Sequence, residues 1–213
     1  MSTKIVAVGR LAAVVLGVAA IVATLIDTAS RKRINPFNFF GFFTMQSNII
    51  WLVVIAITAI FALRGTKQTN VLFLARGCAT KYMILTGVIY NVLLAGQEGG
   101  VALAWANNVV HIILPFYAFL DWILFADRPP LAWNRLWVSL IYPMVWVVVV
   151  LIRGATDGWV PYPFFNPATG YGHVFAYVVA IAVLTIITAA FVWALSRLSL
   201  VKLDAEAEVT TVT

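Results

Sequence analysis

Six runs of apolar residues, each about as long as a bilayer is thick, take up most of this 213-residue chain, near 5–26, 37–63, 71–96, 102–125, 132–153 and 173–197. A helix needs roughly 20 apolar residues to cross the hydrocarbon core, where a spanning segment must satisfy its own backbone hydrogen bonds. Charge is scarce to match: 10% of the residues are charged and 63% apolar, whereas a soluble domain is about a quarter charged. The expectation is an all-α integral membrane protein, a single bundle of six transmembrane helices over residues 1–200. The last thirteen residues, VKLDAEAEVTTVT, are polar and acidic and read as a disordered tail over 201–213. Arg10 interrupts the first run, and Asp27, Thr28 and Ala29 form no small-x-small cleavage site, so it reads as a retained helix. Asn35 and Pro36 mark the start of the second helix, since Asn accepts from free first-turn amides and proline has no N–H to lose there.

Lysine and arginine in short loops stay on the cytoplasmic side. With the N-terminus cytoplasmic, that side collects Lys4, Arg10, Arg64, Lys67, Arg76, Arg128, Arg135, Arg197 and Lys202, against Arg31, Lys32, Arg33 and Arg153 opposite. Both termini are therefore expected in the cytoplasm. The net charge of +6 is scattered along the membrane edges, which tells against nucleic acid as a partner. The lone Cys78 excludes an intramolecular disulfide and a multi-cysteine metal or iron–sulfur site. The two histidines, His111 and His173, fall roughly 13 Å apart along the membrane normal, which tells against shared ligation of a haem. No metal or other cofactor is expected.

Polar side chains in hydrocarbon need partners, so their depths show which helices share an interior. On the cytoplasmic side Asp121 is expected to pair with Arg76, Lys81 or Arg135, either as a structural ion-pair network or as a proton or ion path. An outer layer carries more chemistry. Thr44, Ser47 and Asn48 share one face of the second span, and Asn107, Asn108 and His111 one face of the fourth, by i, i+3, i+4 spacing. Thr44 and His111 both fall roughly 10 to 14 Å below the outer surface, counting 1.5 Å per residue. Thr86, Tyr90 and Asn91 of the third span reach the same layer. A hydroxyl, an imidazole and several amides at one depth can supply a nucleophile, its general base and oxyanion donors. The same residues also have packing roles open to them: a buried threonine commonly bonds its own i−4 carbonyl, and amides join helices. The connection between Arg153 and His173, dense in Pro, Gly and aromatic residues, reads either as an interfacial belt or as a rigid lid over this layer.

The order FFTMQSN, NNVVHIILPFYAFLDW and LIRGATDGWVPYPFFNPATGYG resembles the prokaryotic branch of a six-helix membrane family related to the androgen-induced and androgen-dependent transmembrane proteins of vertebrates. The likeness runs through spans two to six. It implies a transmembrane threonine hydrolase that cleaves fatty-acid esters of hydroxy fatty acids, with Thr44 as nucleophile and His111 as base. Val160 and Asn166 stand where the family more usually has Tyr and Asp, and the QSN after Thr44 belongs to the prokaryotic pattern, which leaves the substrate open.

The expected reaction is lipid-ester hydrolysis through an acyl-threonine, with Asn48, Ser47, Asn107, Asn108 and Asn91 as candidate oxyanion or substrate contacts and Arg153 as a candidate for a lipid carboxylate. No acidic residue stands beside His111 in the sequence, so a dyad is expected. The rival readings are a small transporter or channel working through Arg76, Lys81 and Asp121, and a non-catalytic lipid-binding protein. The expected partners are membrane lipids and a lipid substrate, at a prokaryotic plasma membrane.

Overall fold

The computed structural model describes residues 1–96, 103–125, 127–198 and 200–203. Among the described residues six helices are long and apolar enough to cross a membrane: α1 (Thr3–Arg31), α2 (Phe43–Leu63), α3 (Asn70–Leu94), α4 (Ala104–Leu124), α5 (Trp133–Thr156) and α6 (Tyr171–Leu195). The fold is the expected all-α six-helix bundle of a multi-pass integral membrane protein.

Packing divides the bundle. α1 lies on α2, α2 on α3, and α3 on α4 and α6. One cluster joins α1 to α4 around Trp51, Ile55, Met83 and Leu114; the other joins α3, α4, α5 and α6 around Trp122, Trp146, Val192 and Trp193. Gly17 sets the approach of α1, because a Cβ there would lie 2.6 Å from Leu52 and 2.9 Å from Leu114. In hydrocarbon, where lipid tails are as apolar as leucine, such close backbone approach is a main source of helix association.

The two ends of the described chain meet. The Met1 amine donates to Lys202 O at 3.2 Å, and Val201 N donates to Leu124 O at 2.7 Å as Val201 pairs alongside Phe125. Of the tail expected to be disordered, Val201 is thus held against the end of α4 and Lys202 against Met1; residues 204–213 of the expected tail lie outside the described residues.

Near that end Arg10 and Arg76 form a closed ring with Asp121 and Asp127. Arg10 reaches Asp121 at 2.7 Å and Asp127 at 2.6 Å; Arg76 reaches the same two at 3.2 and 3.0 Å. Arg76 was an expected partner of Asp121, whereas Lys81 and Arg135 are corrections. Lys81 is fully buried and donates to Ser139 O at 3.3 Å, and Arg135 is exposed. Arg10 takes their place because α1 also packs against α4, and a contact between helices so far apart in the chain leaves no trace in residue spacing.

Candidate active site

The second span begins later than the Asn35–Pro36 signal suggests. Asn35 does accept from Phe37 N, but the helix it caps is a single turn, Pro36–Phe39. The chain breaks over residues 40–42, and α2 starts afresh at Phe43 with Phe42 extended. Gly41 permits the break, since a Cβ there would lie 2.5 Å from Phe37 O and 2.7 Å from the Trp159 ring. Thr44 therefore sits in the first turn of α2, where backbone N–H groups have no carbonyl four residues back. Residue 40 lies outside the helix, so the usual outlet for a membrane threonine is missing. Thr24, Thr28, Thr58, Thr156 and Thr188 each donate to their own i−4 carbonyl; Thr44 turns instead to His111.

His111 lies within a π-helical turn, Val109–Ile113, of α4. Pro115 explains much of its surroundings. It has no N–H for the His111 carbonyl, and Leu114 N bonds Val109 O, leaving Val110 O without a helical donor. Asn48 and Asn91 fill these places: Asn48 Nδ2 donates to Val110 O at 3.1 Å and to Thr44 O at 2.9 Å, and Asn91 Nδ2 to His111 O at 3.4 Å and Gly87 O at 2.8 Å. Their amides tie α2 and α3 to the irregular turn of α4. A second π-helical turn, Tyr90–Leu94, closes α3, and Tyr90 stacks on His111 with ring centroids 3.9 Å apart. Such turns recur at functional sites because they re-aim side chains that a regular helix would point elsewhere.

The backbone fixes the proton arrangement. His111 Nδ1 lies 3.1 Å from Asn107 O, which can only accept, so Nδ1 carries the hydrogen. In the neutral ring Nε2 is then an acceptor, 3.2 Å from Thr44 Oγ1. The Thr44 hydroxyl donates to it. The Tyr162 hydroxyl stands 3.4 Å from both Thr44 Oγ1 and Thr44 N. With the threonine proton committed to His111, Tyr162 donates to Thr44 Oγ1 while accepting from Thr44 N–H. Burial pushes the Tyr162 phenol up, against the smaller downward pull of its bonds to Thr44, so it keeps its proton at neutral pH.

Tyr162 arrives from the connection between α5 and α6, folded inward as a strap. Tyr162 stacks on Phe164 at 5.3 Å and Phe164 on Tyr177 of α6 at 5.5 Å, while Trp146 of α5 packs against Tyr162 and Phe165. Tyr162, Phe164 and Phe165 are all buried. The segment thus closes the polar end of the site, and the sequence signal for Tyr162 was its place between Pro161 and Pro163.

The other expected site residues divide. Ser47 bonds Thr86 Oγ1 at 2.7 Å and Thr44 O at 3.2 Å, and Asn107 Nδ2 donates to Tyr90 OH at 2.6 Å. Asn48 and Asn91 spend their donors on backbone carbonyls, and Asn108 is exposed. Arg153 is held by Asp157 and Asn38, both at 2.7 Å, and stacks on Trp159 at 4.3 Å. It lines a separate outer pocket with Gln46, Asp157 and Trp159. Tyr162 OH is the donor that reaches the Thr44 hydroxyl instead. Among the described residues no three His, Cys, Asp or Glu side chains gather to hold a metal ion.

The fold and site define an integral membrane protein with a threonine–histidine pair, its threonine buried, beneath an aromatic strap. Comparison of the chain with models of known families, with curated proteins and with solved structures found no match.

Proposed function

We propose that this protein is an intramembrane lipid-ester hydrolase in which Thr44 is the nucleophile and His111 the general base. The observation that carries the reading is the 3.2 Å contact between Thr44 Oγ1 and His111 Nε2, with the tautomer set by the Asn107 carbonyl. The resemblance of FFTMQSN and NNVVHIILP to the threonine-hydrolase family points to the same two residues, and to fatty-acid esters of hydroxy fatty acids or similar lipids as substrate.

In the first half-reaction Thr44 Oγ1 attacks the ester carbonyl carbon as its proton passes to His111 Nε2. The carbonyl oxygen gains negative charge beside the Tyr162 hydroxyl. Collapse breaks the ester C–O bond, and His111 returns the proton to the departing alcohol, leaving acyl-Thr44. Water then attacks the acyl carbon and gives a proton to His111; the acid leaves, and that proton restores Thr44. One well-aimed donor to the oxyanion in a dry site is worth about 3 kcal/mol of barrier. The transport reading works through Arg76, Lys81 and Asp121; the closed ring of two arginines and two carboxylates favours a structural role for Arg76 and Asp121, and Lys81 lies outside that ring on Ser139 O. The distribution of Lys and Arg supports both termini on the cytoplasmic side, and the resemblance to the prokaryotic branch supports a prokaryotic plasma membrane.

A fluorophosphonate probe reacted with the detergent-purified protein tests the class directly. The expected adduct, mapped by mass spectrometry, is on Thr44 and disappears in His111→Ala; no adduct on Thr44 under conditions where the protein hydrolyses an ester would sink the reading. Tyr162→Phe is a finer test. It is expected to lower kcat roughly 10-fold to 100-fold with KM little changed, as befits a donor that acts mainly in the transition state. A rise in KM at unchanged kcat would place Tyr162 in ground-state binding.

A further inference from the structure

A cavity of about 460 Å³ opens from Thr44 into the bundle between α3, α5 and α6. We propose that it binds the acyl chain of the substrate, taken sideways from the bilayer between α5 and α6 so that the ester carbonyl stops at Thr44 Oγ1. The proposal rests on the hydrolase reading for its orientation and on the cavity for the rest.

The chemistry of the wall selects the occupant. Thr44, Thr86, Tyr90 and Tyr162 contribute hydroxyls, and the rest of the lining is apolar apart from Thr185, with no charged side chain in it. A carboxylate or phosphate inside would lie in hydrocarbon without a counter-ion. The shape points the same way. Phe164 and Tyr177 stack beside Tyr162, which puts Val178 near the level of Thr44. From Val178 to Ile186 the α6 wall descends about 12 Å, and from Val147 to Leu140 the α5 wall descends about 10 Å, at 1.5 Å per residue. An apolar cavity of this depth and volume suits a hydrocarbon chain. Met144, Val148 and Ile186 line it and are 57%, 51% and 52% exposed on the outer surface of the bundle. These side chains face lipid, so the mouth opens to the membrane interior. The aqueous end is closed by the buried Tyr162, Phe164 and Phe165, and the polar remainder of the ester stays near them.

The test compares hydrolysis of p-nitrophenyl decanoate and p-nitrophenyl acetate by the detergent-purified protein. Ala182 lines the cavity, whereas Val183 is 51% exposed and lies outside the lining. Ala182→Trp is expected to lower the decanoate-to-acetate ratio of kcat/KM by at least about tenfold, and Val183→Trp to keep the wild-type ratio. Ala182→Leu supplies a graded block if the tryptophan variant does not fold. An unchanged ratio in a folded, hydrolysing Ala182 variant overturns the acyl-chain site and leaves the threonine–histidine reading standing. A second measurement needs no catalysis: a fatty acid with a terminal diazirine is photo-cross-linked to Thr44→Ala protein. Labelling is expected on the cavity walls of α5 and α6 and is competed by tetradecanoate. If wild type hydrolyses neither ester but this labelling appears, the hydrolase reading fails and the acyl-chain site stands; uncompeted labelling spread over lipid-facing positions such as Val15 overturns the site.

Discussion

Thr44→Ala is expected to reduce hydrolysis of a long-chain ester by at least about a thousandfold, the scale of loss when a nucleophile is deleted. The change removes one hydroxyl and one methyl group from a side chain that is 7% exposed, so the thermal unfolding midpoint in detergent should move little. The hydroxyl makes no bond to its own helix; its partners are His111 and Tyr162, and neither is a charge left stranded. Thr44→Ser should keep part of the activity, because a primary hydroxyl can make the same bond from the same first turn. His111→Ala should match the loss of Thr44→Ala, and the double variant should be no worse than either, since residues acting as one unit are not additive. Ester hydrolysis by Thr44→Ala at the wild-type rate would refute the assignment, and the lipid-binding or transport readings would then replace it.

Asp121→Ala should cost about 3 to 5 kcal/mol of stability, as for breaking other buried ion pairs. Arg10 and Arg76 are 0% and 2% exposed, and without Asp121 both must share Asp127 alone. Replacing the whole ring by apolar residues of similar volume should cost much less, because most of the loss is the penalty for an uncompensated buried charge. Thermal unfolding of the two variants in one detergent checks this; equal losses would contradict it. The pH dependence has a definite sign. Burial pushes the Asp127 carboxyl up, but Arg76 and Arg10 together hold it well below the ordinary carboxylate range. A depressed folded-state value stabilises the protein above the unfolded value, about 4 for Asp, and that contribution fades only as pH falls further toward the folded value. The ring should therefore stay intact through neutral and mildly acidic conditions.

The periodicity of hydroxyl, amide and imidazole groups brought Thr44 and His111 to comparable depth, and the structure joins them. It does so by a route that spacing did not show. The Asn35–Pro36 signal was sound chemistry for a cap, yet it caps one turn. The close packing of Gly41 against Trp159, more than a hundred residues away, is consistent with a restart at Phe43. In the same way Asn48 and Asn91 read as free donors beside a nucleophile, because nothing in their spacing shows that Pro115 has removed a backbone N–H from another helix. Once it has, leaving those carbonyls bare in a low-dielectric interior is costlier than spending the amides on them.

What the sequence determined alone are quantities fixed by short-range physics. The length of each apolar run set the number of crossings, and the scarcity of charge set the solvent. Helical spacing set which polar groups share a face. What only the tertiary structure decided are the meetings between helices. Arg10 rather than Lys81 or Arg135 joins Arg76 at Asp121, Tyr162 folds beneath its strap to reach Thr44, and Arg153 turns away to Asp157 and Asn38. The physical reason is common to all three. A residue's place along its own helix axis follows from a rise of 1.5 Å per residue, but its neighbours across the bundle depend on the packing of side chains from segments far apart in the chain, which local sequence does not encode.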